Sequence, residues 1–210
     1  MYSTFTKNNF NSLCNKLAKK DEDLKTIIKK FGYPPVWTRT ASFQTLIHII
    51  LEQQVSLASA RAALNKLNER LGIITPKKML ALSDKELKAC YFSRQKVVYA
   101  KCLAQAIVSK QINLKELSTL DDAGIRQQLK EIKGIGDWTV DVYLLFALHR
   151  TDIFPLGDLA MVNSLKELKG LRKETKREEL LKLSESWKPY RSIATMLLWH
   201  YYIRKRGIKF

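Results

Sequence analysis

Two glycines and one carboxylate are the residues of this chain best placed to do chemistry. The segment Leu129-Lys-Glu-Ile-Lys-Gly-Ile-Gly-Asp-Trp-Thr139 ends one amphipathic stretch at Leu129 and Ile132, then turns through Gly134-Ile135-Gly136. A second helix is expected to start near Trp138. Glycines at both ends of such a turn permit φ > 0 and let a ligand approach the backbone closely. Their N–H groups, with the N-terminus of the next helix, make a site for an anion such as a phosphate. Ile135 between them plugs into the helix pair and stiffens the turn. An ordinary helix connection closed by a glycine cap has the same local sequence, so the segment alone leaves both readings open. The carboxylate is Asp158, at the expected start of a helix after Phe154-Pro-Leu-Gly157. On position alone it reads as a helix cap. The three histidines, His48, His149 and His200, lack ligand spacing and receive no catalytic role. Cys14, Cys90 and Cys102 are odd in number and far apart, which argues against a disulfide frame or a cysteine-ligated metal.

The charge suggests what the anion is. Lys plus Arg number 37 against 20 Asp plus Glu in 210 residues, a formal charge of +17. Both halves of the chain carry the excess, so it is not confined to a tail. A basic folded body is a partner for a polyanion, most simply nucleic acid, unless the whole proteome is lysine-rich. Hydrophobic residues at 46% and aromatics at 10% are enough for a packed core and exclude disorder as the main state. No apolar run reaches the roughly 20 residues a bilayer requires. Met1 to Phe10 shows no charged-then-apolar leader, so an intracellular protein of the cytoplasm or nucleoid (the nucleus in a eukaryote) is expected.

The elements that must position these residues are helices. Asp21 to Phe31 begins with acidic residues and stops at Gly32, before Pro34 and Pro35. Phe43 to Gln53 carries an apolar stripe at Phe43, Leu46, Ile47, Ile50 and Leu51. Ser56 caps a helix to about Leu71, and Ser83 with Glu86 forms a capping box for Asp84 to Cys90. Ser93 to Ser109 follows, with Val97, Ala100, Leu103, Ala104 and Ile107 inward. Further helices fit Asp121 to Ile132, Trp138 to Leu148, Asp158 to Leu168, Lys173 to Leu183 and Tyr190 to Lys205. No alternating strand competes with them. The fold class is all-α.

Around the hairpin stand Ile49-Ile-Leu-Glu-Gln-Gln-Val-Ser56, Ser93-Arg-Gln-Lys96, Tyr143-Leu-Leu-Phe-Ala-Leu148 and Asp152-Ile-Phe-Pro-Leu-Gly-Asp-Leu159. Trp187-Lys-Pro-Tyr-Arg-Ser192 and Leu197-Leu-Trp199 follow. In this order and spacing the set resembles the helix-hairpin-helix DNA glycosylase superfamily, within it the DNA-3-methyladenine glycosylase II branch, from about Asp23 to about Tyr202. The resemblance implies two helical lobes with the hairpin at their junction and a cleft between them. The lobes would be residues 1–41 with 149–210, and a central bundle 42–148 whose hairpin spans about 123–148. It also implies a compact form without the N-terminal β domain of the bacterial type member.

The same resemblance assigns roles. Asp158 matches the catalytic aspartate, whose charge favours the oxocarbenium-like sugar formed as a glycosidic bond breaks and which can orient the attacking water. Gly134, Gly136 and Thr139 are implied to hold DNA phosphate, and Gln54 to be the wedge that fills the space of the flipped nucleotide. A solvated helix end is the alternative for the Gln53-Gln54 pair. Trp138 and Trp199 would line the base pocket, where an indole face attracts a cationic alkylated purine. Core packing is the alternative for Trp199. The branch's pocket tyrosine falls on Val142, leaving Tyr143 one step on as the pocket candidate. Trp187 looks structural, and Arg191 with Ser192 braces the last helix, with a place near the cleft as the alternative for Arg191.

Trp138 stands where bifunctional relatives carry a lysine nucleophile, and Lys133 lies before the turn. The terminal four-cysteine loop of endonuclease III relatives is also missing. The expected enzyme is therefore a monofunctional hydrolase in base excision repair. It releases 3-methyladenine- or 7-methylguanine-type bases from double-stranded DNA, leaves an abasic site without lyase activity, and acts as a monomer with no membrane role. No cofactor is required. The resemblance adds a structural Na⁺ or K⁺ on the backbone carbonyls of Lys130, Ile132 and Ile135. Two other readings remain: a glycosylase of the same fold for uracil, hypoxanthine or a mismatch, and a non-enzymatic hairpin DNA-binding module.

Overall fold

A computed structural model describes residues 3–208, which leaves Met1, Tyr2, Lys209 and Phe210, including the first two residues of the Met1–Phe10 segment read for a leader, outside the described residues. The helices are α1 (Lys7–Ala18), α2 (Glu22–Phe31), α3 (Phe43–Glu52), α4 (Leu57–Leu71), α5 (Pro76–Ala81), α6 (Asp84–Ala89) and α7 (Arg94–Val108). They continue as α8 (Leu114–Leu117), α9 (Asp122–Lys130), α10 (Asp137–Phe146), α11 (Leu159–Leu168), α12 (Arg177–Ser184) and α13 (Arg191–Arg206), with a 3₁₀ turn at Glu185–Trp187. Among the described residues there is no strand, only an isolated bridge between Thr4 and Arg150. The all-α expectation holds. None of the helices is long and apolar enough to cross a membrane.

The chain divides into two compact units, Arg39–Leu148 and a second built from Met1–Thr38 with His149–Phe210. In the first, α3 and α10 are apolar nearly all round and therefore become its centre. α3 buries Phe43, Leu46, Ile47, Ile49, Ile50 and Leu51 and packs on α4, α7 and α10, while α10 also packs on α9. In the second unit α13 has the same role. It buries every residue from Ser192 to His200 and packs on α1, α2 and α11.

Side-chain caps set most helix starts. Ser42, Ser56, Ser93 and Asp158 each accept a hydrogen bond from a backbone N–H in the first turn of α3, α4, α7 and α11. The helix expected from Lys173 begins only at Arg177, because Thr175 N–H turns back to the Arg172 carbonyl. Helix α1 was legible but is not among the expected elements. Phe10, Leu13, Cys14 and Leu17 are buried at helical spacing, behind a Thr6–Asn9 capping box. The short α5 and α8 offer too few turns for periodicity to register.

Candidate active site and nucleic-acid interface

In the unit containing both termini, the loop from His149 to Asp158 is held by the start of α13. Arg191 clamps Asp152 with two parallel bonds, Nε to Oδ1 at 2.8 Å and Nη2 to Oδ2 at 2.9 Å. Ser192 Oγ accepts the Ile153 N–H at 2.8 Å. Next along the loop, Phe154 meets Trp187 edge-on with ring centroids 6.0 Å apart. Trp187 is buried, and its indole N–H donates to Asp21 Oδ2 at 2.8 Å. Asp21, which Lys169 also contacts, is held below the usual carboxylate range: burial opposes this, but the Lys169 and Trp187 hydrogen bonds outweigh it.

Asp158 ends this braced loop. Its Oδ1 accepts the Met161 N–H at 2.8 Å, so it does cap α11. The same oxygen accepts Trp199 Nε1–H at 2.9 Å. The cap bond and the indole bond together fix the carboxylate's direction. Asp158 is half-buried, and its neighbour Leu159 is 77% exposed, so the carboxylate sits at the surface edge of its unit. Trp199 is largely buried on α13. The structure thus brings together the expected carboxylate and one of the two expected pocket indoles.

The hairpin belongs to the other unit. Gly134 takes φ +93°, a backbone conformation that disfavours any side chain, and a Cβ there would lie 2.0 Å from the Tyr99 ring. Gly136 differs. Its φ of −105° suits any residue, a Cβ there would meet nothing within 4 Å, and it starts α10 with no side-chain cap. Between them Ile135 is buried, and its N–H donates to the Ile132 carbonyl at 3.0 Å, closing the turn. Trp138 is partly exposed on the first turn of α10. Thr139 is 1% exposed as a whole residue and its hydroxyl accepts the Gln53 Nε2–H, so, against expectation, neither its side chain nor its backbone lies open to a phosphate.

Charges tie the two hairpin helices together. Arg126 of α9 reaches Asp137 at 2.9 Å and Asp141 at 2.5 Å, and Lys130 reaches Asp137 at 2.8 Å. The Lys130 hydrogen bond, followed by that of Arg126, lowers the Asp137 pKa. Burial acts the other way on Asp141 and, despite Arg126, pushes it up to about 6.

An open groove of about 590 Å³ runs beside the hairpin, lined by Gly134, Ile135, Gly136, Gln53, Gln54 and the start of α7. The candidate wedge and the candidate phosphate cradle therefore share one groove. Gln54 is exposed and held at φ +57°, uncommon for a residue with a side chain. Two residues of this groove, Gln53 and Tyr99, have roles that sequence reading does not assign. Lys96, the last residue of the Ser93–Lys96 motif, also lines it. One expectation needs correction. Tyr143 has no exposed surface and Val142 is 2% exposed, so neither can face a base; both pack into the core around α10. The Tyr143 hydroxyl has no hydrogen-bond partner among the described residues, and burial pushes its pKa up to about 12.

Comparison with known proteins places this geometry. Residues 47–189 match the family model described as HhH-GPD superfamily base excision DNA repair protein. An alkylbase DNA glycosidase-like protein of Schizosaccharomyces pombe is 32% identical over 191 residues, covering 87% of this chain and 89% of its own. DNA-3-methyladenine glycosylase 1 of the same yeast is 32% identical, covering 87% and 83%. The 3-methyladenine DNA glycosylase of that organism solved in complex with abasic DNA superposes with a TM-score of 0.84, at 31% identity over 90% of this chain and 95% of that one. The matched span takes in the turn at Gln54, the hairpin and the braced aspartate loop, and the chain belongs to the HhH-GPD superfamily of base excision DNA repair proteins.

Proposed function

We propose that this protein is a monofunctional DNA glycosylase that excises N3- or N7-alkylated purines, of the 3-methyladenine and 7-methylguanine type, from double-stranded DNA. The observation that carries the reading is the Asp158–Trp199 pair, a half-buried carboxylate oriented by an indole N–H at 2.9 Å. A pure DNA-binding module needs no carboxylate fixed in this way. The names of the yeast relatives support the same substrate class.

The chemistry follows from charge. An alkylated purine is already cationic, so it leaves readily as the C1′–N bond breaks and needs little acid catalysis. Positive charge then develops on the sugar, and Asp158, aimed before the substrate arrives, stabilises it electrostatically. Water adds to C1′ and its proton passes to the carboxylate or to solvent, leaving an abasic site. Trp138 and Trp199 each offer an indole face to a cationic base. With Trp138 after Gly136-Asp137, the chain presents no amine at the position from which bifunctional relatives attack the sugar, so strand cleavage is not part of the reaction. Gly136, with its open surroundings, and the uncapped start of α10 receive phosphate. The hairpin carbonyls of Lys130, Ile132 and Ile135 are hard oxygen donors of the kind a Na⁺ or K⁺ accepts, and that ion would stiffen the turn without entering the reaction. A protein with this substrate works inside the cell, beside its DNA.

The test is base release from methylated duplex DNA, with strand cleavage scored separately before and after alkali. Free 3-methyladenine or 7-methylguanine, with nicks only after alkali, is expected. Nicks before alkali would refute the monofunctional reading. Release of uracil or hypoxanthine alone would move the enzyme to another lesion.

A further inference from the structure

Gln53 joins two parts of the central unit that are distant in sequence. It is the C-cap residue of α3 and directly precedes Gln54. Its side-chain Nε2 donates to the Gly134 carbonyl at 2.9 Å and to Thr139 Oγ1 at 2.9 Å. A carboxamide nitrogen has two N–H groups, so both are used, one on the hairpin turn and one on the first turn of α10. The residue that ends at the wedge is thereby bonded to both sides of the phosphate cradle.

Helix α7 supports the same two places from behind. Lys96 buries its ammonium and donates to the Leu51 carbonyl at 2.7 Å, which fixes the C-terminal end of α3. Tyr99, one helical turn later, fills the space where Gly134 lacks a Cβ. Lys96 thus holds the wedge turn, Tyr99 holds the hairpin, and Gln53 connects them. The left-handed backbone of Gln54 fits this arrangement, since such conformations persist where the surroundings over-determine them.

We infer that Gln53 is a positioning residue that locks the wedge turn to the hairpin, so that seating a DNA phosphate places Gln54 in register to enter the duplex. The inference rests on the proposed roles of Gln54 and the hairpin and deepens them. Without the lock, phosphate could bind while the wedge turn wandered, and opening the base pair would become a separate, less frequent event. The lock matters only where there is a stack to open. A single-stranded substrate has none.

The test uses the full chain with Gln53→Met, which keeps the length and neutrality of the side chain but removes both N–H donors. Thr139→Val, which removes only the hydroxyl acceptor, is the second variant should Gln53→Met fail to fold. It should show the same pattern more weakly. Opening is read from a 2-aminopurine placed opposite the lesion, whose emission rises as its stack is disturbed, and base release is read separately. For folded Gln53→Met, the opening signal and release from duplex should fall about tenfold, with release from single-stranded DNA unchanged. Adding Gln53→Met to Gln54→Ala should cost little beyond Gln54→Ala alone, since one acts through the other. Equal losses on single and double strands, or losses that multiply in the double variant, would overturn the positioning role. Opening requires no bond cleavage, so a parent that opens the duplex yet releases no base would sink the glycosylase reading. Gln53 would still be judged on opening alone.

Discussion

The loop ending at Asp158 and the hairpin around Gly134 and Gly136 are built on opposite plans. In the loop three polar groups are tied internally: Asp152 by Arg191, the Ile153 N–H by Ser192, and Asp158 Oδ1 by both Met161 and Trp199. In the hairpin, one glycine is packed against Tyr99, while a Cβ on the other, two residues on, would meet nothing within 4 Å. A carboxylate that must meet a developing charge gains from being fixed in advance, because reorientation during the reaction would cost what the contact contributes. A backbone that must receive a phosphate gains from space left open. Rigidity thus marks where chemistry is proposed, and vacancy marks where binding is proposed.

The largest effect that tests this contrast is expected at Asp158. Asn caps a helix as well as Asp does, so Asp158→Asn should fold with α11 intact and bind lesion-containing duplex like the parent. The charge facing the sugar is gone, and base release should slow on the order of 100- to 1,000-fold. Single-turnover release measured beside thermal unfolding separates the two roles. Near-normal release would mean another carboxylate does the chemistry, and loss of folding would return Asp158 to a purely capping role.

The two glycines should then respond in different observables. Gly134→Val must tolerate both φ +93° and a collision with the Tyr99 ring, and should cost about 3 kcal/mol of stability or more. Gly136→Val meets no neighbour and should lose only about 1 kcal/mol, through poorer capping. Its deficit should appear as weaker binding to every duplex, damaged or not. Denaturant titration and binding isotherms decide it. Unchanged affinity in folded Gly136→Val would remove the phosphate from that position. Between these extremes lies Trp199→Phe, which keeps an aromatic face but loses the bond to Asp158. A fall of about tenfold in the rate of release, with affinity held, is expected, and a fall in affinity alone would make Trp199 a base-stacking residue only.

How much of this could be read from sequence follows the same division. The helices were legible because their stripes and caps are local, as at Phe43–Leu51 behind Ser42 or Asp84–Ala89 behind Ser83. Gly134, Gly136 and Asp158 stood out because glycine spacing and a carboxylate at a helix start are also local signals. What escaped was set by contacts across long stretches of chain. Gln53 bonds residues 81 and 86 positions away, and nothing in its own neighbourhood announces either partner. The demand for glycine at Gly134 comes from Tyr99, which no turn rule includes. Tyr143 misled for a related reason: α10 is buried from Thr139 through Leu145, so an aromatic one step from a pocket position packs into the core.

The smallest expected effect concerns the brace between the hairpin helices. Burial raises Asp141 to about 6, above the roughly 3.9 of an unfolded chain. Its contribution to stability is therefore complete below about pH 4 and is lost as pH rises through 6, because folding then confines a charge that water would solvate better. Other groups act with the opposite sign in an overlapping range, among them two histidines. His48 and His200 have pKa values lowered by burial, so they withdraw stability as pH falls below about 6.5. The pH profile of the parent mixes these contributions, and the difference from Asp141→Asn isolates one. Asparagine keeps an oxygen for Arg126 and removes the titration. Relative to the parent, Asp141→Asn should gain about 2–3 kcal/mol between pH 4 and pH 7.5, with most of the change near pH 5–6. Urea unfolding at four or five pH values would show it. A constant difference across that range would mean that Arg126 holds Asp141 charged throughout, making the hairpin brace an ordinary ion pair. A gain that tracks pH would place a destabilised buried carboxylate on α10, in the helix that follows the proposed phosphate-binding turn, a feature of the open hairpin that resembles the tightly fixed loop at Asp158.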